Sequence, residues 1–138
     1  MFRLTISSPE EIVFVGDVQI LNVYTLNGQR GILENHAPFV DIIKACEMTF
    51  RDENNDLKKM AVSGGWLFVW QKEVTVFVNS SEYDFAIDVT KAMAEKEKAE
   101  RELEDAEISD DVVRMARANA KFEKAVNRIR VAGNKTNN

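Results

Sequence analysis

The chain has 138 residues, of which 45% are hydrophobic and 30% charged, with a net charge of −5. No apolar run approaches the roughly 18 residues of a membrane span. The apolar content is too high for a wholly disordered chain, and the acidic balance gives no footprint for nucleic acid. One cysteine, Cys46, and one histidine, His36, exclude an internal disulfide framework and a His/Cys zinc cluster. Met1-Phe2-Arg3 leads directly into strand-like sequence, so no signal or transit peptide is expected and the composition fits a reduced, cytoplasmic setting.

The average conceals a division near Phe85-Ala86-Ile87-Asp88. Residues 1–87 hold five of the six glycines, both prolines and eleven of the twelve aromatics; residues 88–138 hold nine of the thirteen alanines. The first part carries net charge −5 and the second is neutral. Aromatics and turn residues favour sheet, alanine and mixed charge favour helix.

In the first part, Phe2, Leu4 and Ile6 alternate with polar neighbours until Ser7-Ser8-Pro9 ends the strand. Ile12 to Val15 is a short apolar run closed by Gly16-Asp17. Val18, Ile20, Asn22 and Tyr24 are expected on one face of the next strand, which ends at the Asn27-Gly28 turn signal. Gly31-Ile32-Leu33 precedes a loop, Glu34 to Pro38. Strands are expected from Phe39 to Ile43, Glu47 to Arg51 and Lys58 to Ser63, with a bend at Gly64-Gly65. Trp66 to Trp70 and Val74 to Val78 flank a tight hairpin. Such spacing predicts an all-β sandwich or flattened barrel of roughly eight to ten strands over residues 1–87.

The second part, 88–138, reads as an antiparallel α-helical hairpin. Asp88 is a suitable N-cap, and Val89, Ala92, Lys96, Ala99, Leu103 and Ala106 follow heptad-like spacing. Ser109-Asp110-Asp111 interrupts the pattern and caps a second helix, whose stripe is expected to be Val112, Met115, Ala116, Phe122, Val126 and Ile129. Gly133 suits the position after a helix, and a frayed tail is expected from about 133. A buried Leu or Phe contributes about 1.5–3 kcal/mol and an alanine methyl about 0.8 kcal/mol, so an alanine-lined hairpin is weakly held.

Catalytic chemistry is hard to find. There is no triad context, phosphate-cradling loop or metal-ligand spacing. His36 reads as a structural or interfacial loop residue, Cys46 as a small buried one, and Glu34 with Asp41 as too ordinary for an acid/base pair. The acidic and basic residues between Glu95 and Glu107 read as a solvated face with i,i+4 pairs. These residues point to an interaction module.

The order of motifs is similar to that of a known family. Ser8-Pro9-Glu10-Glu11 and Val13-Phe14-Val15-Gly16-Asp17-Val18 stand where ε subunits of F-type ATP synthases have T/S-P-E/D-G and V-F/Y-x-G-x-V. Gly28-Gln29-Arg30-Gly31-Ile32-Leu33-Glu34-Asn35-His36-Ala37-Pro38-Phe39-Val40 resembles G-E-L-G-I-L-P-G-H-A-P-L-V. Ser63-Gly64-Gly65-Trp66-Leu67-Phe68-Val69 resembles S-G-G-F-L-E-V, and Ser81-Glu82 with Ile87-Asp88-Val89-Thr90-Lys91-Ala92 resembles A-E-x-x-x-x-I-D-x-x-R-A. The ending, Lys124 to Ala132, resembles the family's last helix. The resemblance covers essentially the whole chain.

That resemblance implies a non-catalytic central-stalk subunit, peripheral on the cytoplasmic face of the cell membrane, that couples ion-driven rotation to ATP synthesis. It implies docking on the γ subunit and the c-subunit ring, the latter through Gly28, Gln29, Arg30, Gly31, Glu34 and His36. Arg114, Arg117, Lys121 and Arg128 are implied to reach the α/β catalytic head in an extended, inhibitory form of the hairpin. Glu82, Asp88, Lys91, Ala92, Lys124 and Arg128 match a regulatory ATP site, with lysine at two positions where the family prefers arginine. No required cofactor, metal or nucleic acid is implied. Gln29-Arg30 replaces an acidic-apolar pair and Glu34-Asn35 replaces Pro-Gly, so altered charge pairing is expected: Arg30 with an acidic partner, Glu34 with a basic one. The alternatives are an unrelated β-sandwich adaptor with a coiled-coil-like tail, and an enzyme using His36 in a pocket.

Overall fold

A computed structural model describes residues 1–133. The chain divides into two compact units between Tyr83 and Asp84, slightly before the composition boundary. The tail expected to fray lies outside the described residues, except that Gly133 is the last residue of a helix rather than the residue beyond it.

The first unit holds β1 (Phe2–Ser7), β2 (Ile12–Thr25), β3 (Gly28–Ile32), β4 (Phe39–Ile43) and β5 (Cys46–Asp52). It continues with β6 (Leu57–Val62), β7 (Gly65–Val69), β8 (Glu73–Val78) and β9 (Ser81–Tyr83). The nine strands hydrogen-bond in the order β1-β8-β7-β4-β2-β5-β6-β9, with β3 on β2 and β1 returning to β2. That return closes the sheet on itself as a flattened barrel, as the strand spacing predicted. Inward residues of the strands, among them Leu4, Ile6, Leu21, Met48, Phe50 and Leu67, form a single core. Cys46 is buried in it, with its thiol 3.8 Å from the Tyr24 carbonyl oxygen.

Two expectations fail at β2. The runs on either side of Gly16-Asp17 form one continuous strand, because Gly16 pairs with Leu4 without interrupting the ladder. Nor do Val18, Ile20, Asn22 and Tyr24 share a face. Val18 is buried, but so are Leu21, Val23 and Thr25. The register with β5 slips between Val18 and Ile20, and this bulge moves every later side chain to the opposite face. The short strand β9 is antiparallel to β6 and carries no alternation in the sequence that marks it as a strand.

Gly64 and Gly65 are needed where the chain enters β7. Gly64 has φ +118°, and a Cβ on Gly65 would run into the Phe77 carbonyl of β8. Ser63-Gly64-Gly65 is therefore a backbone close approach as well as a bend.

The second unit begins with a 3-10 turn, Asp84–Ala86, packed against the later helix, followed by α1 (Val89–Ile108) and α2 (Val112–Gly133). The Asp88 carboxylate accepts the Lys91 N–H at 3.0 Å, as an N-cap should. Asp111 does the same for Arg114 at 3.1 Å. Of the expected α1 stripe, Ala92, Ala99 and Ala106 are buried and Lys96 and Leu103 half-buried, whereas Val89 is exposed. On α2 the expected stripe holds only in part: Met115, Phe122, Val126 and Ile129 are half-buried, but Val112 (69% exposed) and Ala116 are not, and the buried alanines are Ala118, Ala125 and Ala132. Both helices therefore carry alanines at heptad intervals, and two cross-helix ion pairs set their direction. Glu95 meets Arg128 at 2.8 Å and Glu102 meets Lys121 at 3.5 Å, so positions rise on α1 as they fall on α2. The hairpin is antiparallel. A seam of methyl groups draws the helices close and leaves larger side chains such as Met115 and Phe122 at its flanks.

Replacing Gly65 with alanine forces the β7–β8 ladder apart. Gly65→Ala should destabilise the sheet unit by about 2–4 kcal/mol, read as a lower urea midpoint by Trp66 and Trp70 fluorescence. An unchanged midpoint would contradict the close approach.

Candidate docking interface

The signature from Gly28 to His36 is not one loop. Gly28, Gln29, Arg30 and Gly31 lie in β3, paired with β2 from Thr25 to Asn22. Glu34 and His36 lie in the connection to β4, beyond the other end of β3. Only Gly28 and Gln29, at the turn end of β3, lie about a strand's length from that connection at roughly 3.3 Å per residue; Gly31 is near it.

The tip between β2 and β3 is built around Thr25 and Gly28. The Thr25 hydroxyl donates to the Gly28 carbonyl at 3.0 Å and accepts the Asn27 N–H at 3.1 Å. Gly28 takes φ +104°, a conformation that favours glycine after a tight turn. Under this tip lies Asp41, an inward residue of β4 that is only 6% exposed. Its carboxylate accepts the Asn27 side-chain amide and the Ile42 N–H, each at 2.9 Å, and the Arg30 Nε–H at 3.3 Å. Burial pushes its pKa up, but the hydrogen bonds from the Ile42 N–H, the Asn27 amide and the Arg30 guanidinium outweigh that and hold it below the ordinary carboxyl value.

Arg30 also stacks over the Phe39 ring at 5.0 Å, and Phe39 contacts the His36 ring at 5.1 Å. The His36 Nδ1 lies 2.9 Å from the Ala37 carbonyl oxygen. Arg30 is thus already engaged by a carboxylate and a ring of its own chain. Glu34 accepts from the Met1 amine at 3.0 Å, and this contact lowers its pKa.

A second surface lies on the outer face of β4, β7 and β8. Alternation sends Asp41, Leu67, Val74 and Val76 inward and leaves Val40, Ile42, Trp66, Phe68 and Phe77 outward. Trp70, just past β7, is 68% exposed. Phe68 and Phe77 meet edge to face at 5.6 Å. A cavity of about 310 Å³, lined by residues including Pro38, Phe39, Phe68 and Trp70, opens on this face. Contiguous exposed aromatics of this kind mark an interaction surface.

The description "ATP synthase, Delta/Epsilon chain, beta-sandwich domain" matches residues 1–84, and "ATP synthase, Delta/Epsilon chain, long alpha-helix domain" matches residues 86–133. The chain belongs to the ATP synthase delta/epsilon chain family. The ATP synthase epsilon chain of Ruminococcus albus is 38% identical over 136 residues, covering 98% of each chain. That of Syntrophomonas wolfei is 31% identical over 131 residues, covering 95% of this chain and 93% of that one. Among solved structures, a chain of the Euglena gracilis mitochondrial ATP synthase superposes with a TM-score of 0.75 at 19% identity, covering 88% of this chain and 75% of that one. The last likeness concerns fold.

Within this family frame, the residues matched to a regulatory ATP site have other engagements. Asp88 caps α1, Ala92 is buried in the alanine seam, and Arg128, 9% exposed, holds Glu95. Lys91 and Lys124 are exposed on the hairpin, while Glu82 belongs to β9 of the sheet unit. Of the residues matched to the catalytic head, Arg114 and Arg117 are exposed, whereas Lys121 and Arg128 make the cross-helix ion pairs. In sequence Asp41 reads as an ordinary carboxylate. The available signal was its place between Phe39 and Ile43, an inward polar residue on an otherwise apolar strand face.

Because the folded protein depresses the Asp41 pKa below its ordinary value of 3.8, its contribution to stability is present above about that pH. The contribution is lost as pH falls through the depressed value, where the folded state takes up the same proton. Acid unfolding followed by circular dichroism should therefore be shallower in Asp41→Asn than in the parent. Identical acid limbs would contradict the depressed pKa.

Proposed function

We propose that the chain is a non-catalytic rotor subunit of the ATP synthase that couples ion-driven rotation of a c-subunit ring to ATP synthesis. The observation that carries this reading is the exposed aromatic face on β4, β7 and β8, a surface suited to permanent cover by a partner. The γ subunit is its proposed occupant. The β2–β3 tip, with Gln29 and Arg30 beside Gly28 and Gly31, is the proposed contact with the polar loops of the ring; Glu34 and His36 contribute from the far end of β3. Two solved neighbours in fold come from assemblies described as F1/c-ring and central stalk/c-ring, which agrees with these partners. No described helix is long and apolar enough to cross a membrane. The proposed place, beside the ring, is peripheral on the cytoplasmic face.

The hairpin is proposed to inhibit ATP hydrolysis by extending toward the α/β head, presenting Arg114, Arg117, Lys121 and Arg128 to acidic partners. Its alanine seam makes this physically accessible. Reversing a population from 1:99 to 99:1 takes about 5.5 kcal/mol, and methyl contacts of about 0.8 kcal/mol each keep the two forms within that range.

Co-purification with γ and the ring, followed by an ATPase assay, tests both parts. Trp70→Ser combined with Phe68→Ser should reduce recovery with γ, while truncation after Ile87 should preserve assembly and raise ATP hydrolysis severalfold. Full recovery of the double variant would remove the docking reading, and unchanged hydrolysis would remove inhibition by the hairpin.

Glu82, Asp88, Lys91, Ala92, Lys124 and Arg128 are proposed to take ATP as a regulatory ligand. Phosphate would have to displace Glu95 from Arg128, and lysines lack the bidentate fork of arginine, so affinity is expected to be weak. Calorimetry of the full chain should detect ATP only near millimolar concentration, with tighter binding to Glu95→Gln. No heat from either protein would exclude the site.

A further inference from the structure

Asp41 is the buried carboxylate of the described residues, and its partners come from three pieces of chain: Asn27 in the tip, Arg30 in β3 and Ile42 in β4. A buried charge is tolerated only with such compensation, and removing one partner leaves the other charge exposed to the full desolvation cost. The tip residues themselves, Leu26, Asn27, Gly28 and Gln29, carry no charge. The cation beside them, Arg30, is held between the Asp41 carboxylate and the Phe39 ring.

We propose that Asp41 is a positioning residue for the β2–β3 tip, and that the tip recognises a polar, uncharged partner surface through neutral groups, with Arg30 serving Asp41 rather than an acidic residue of the partner. The inference rests on reading the tip as the ring contact, and it specifies the chemistry of that contact. Asp41 fixes the turn through the Asn27 amide and fixes β3 through the Arg30 guanidinium. Arg30 in turn steadies Phe39, whose ring touches His36, so the carboxylate links the tip to the loop at the other end of β3. Amides and backbone groups of the tip are then left to hydrogen-bond the partner, where a mobile cation would otherwise compete.

The two roles of Arg30 separate in a double-mutant cycle. ATP synthase purified without this chain is titrated with the full-length protein and its variants, and amide exchange is followed from Leu26 to Gly31. Arg30→Gln should weaken assembly by about tenfold and speed exchange at the tip, because it leaves the Asp41 carboxylate without its cation. Asp41→Asn should also weaken assembly. The double variant, Arg30→Gln with Asp41→Asn, makes a neutral pair and should return both affinity and exchange to within about threefold of the parent. If the double variant is as weak as Arg30→Gln, Arg30 touches the partner and the proposal is overturned. Should Arg30→Gln fail to fold, Asp41→Asn alone decides. A direct pairing of Arg30 with an acidic partner predicts unchanged or tighter assembly from that variant, and such a result overturns the proposal. Gln29→Trp places a bulky block on the tip: unchanged assembly would show that the docking reading itself has failed, taking the inference with it.

Discussion

The hydrogen-bond ladder of β2 joins the whole sheet unit. β1 pairs along its first half, while β5, β3 and β4 pair along its second. The remaining strands reach it through these: β8 by way of β1, β7 by way of β4, and β6 and β9 by way of β5. A strand with this many neighbours must turn from one layer into the other, and the bulge after Val18 supplies the turn. The same slip sends Leu21, Val23 and Thr25 inward, so that the Thr25 hydroxyl comes to organise the tip. Tip geometry is therefore inherited from the register of a strand that also builds the core.

The helical unit is held by a different balance. Alanine methyls bury little apolar area each, so the seam sets spacing more than it supplies stability. Glu95 with Arg128 and Glu102 with Lys121 add direction and register to contacts that would fit several alignments. The Lys121 pair is largely exposed and contributes little; the Arg128 guanidinium is buried enough for its pairing to matter. A sheet unit with a dense apolar core and a helix pair with a thin one thus differ in how readily each can reorganise.

Much of this architecture is legible in the sequence because local rules act alone there. Asp88 caps α1 in any context, and Ala92, Ala99 and Ala106 announce a close helix contact by spacing and size. On α2 the same rule was available at Ala118, Ala125 and Ala132, but weight given to bulk drew the stripe to Val112 and Phe122. Size counts against a residue at a seam this narrow. The β2 bulge left no local mark, since the slip depends on the partner strand. Ser81–Tyr83 is too short to show alternation and exists because β6 offers an edge. Asp41 was visible as an anomaly, yet its partners Asn27 and Arg30 became apparent only when β3 and β4 were folded side by side.

The burial of Cys46 has a practical side. Its thiol is the chain's only one and lies 3% exposed on β5, a strand bound to β2 on one side and β6 on the other. A thiol buried this deeply reacts when the sheet around it opens, so its rate of modification is an internal clock for that opening. The native residue is thereby a built-in reporter, one that could time how docking on a rotating partner tightens or loosens the domain without any foreign probe on its surface.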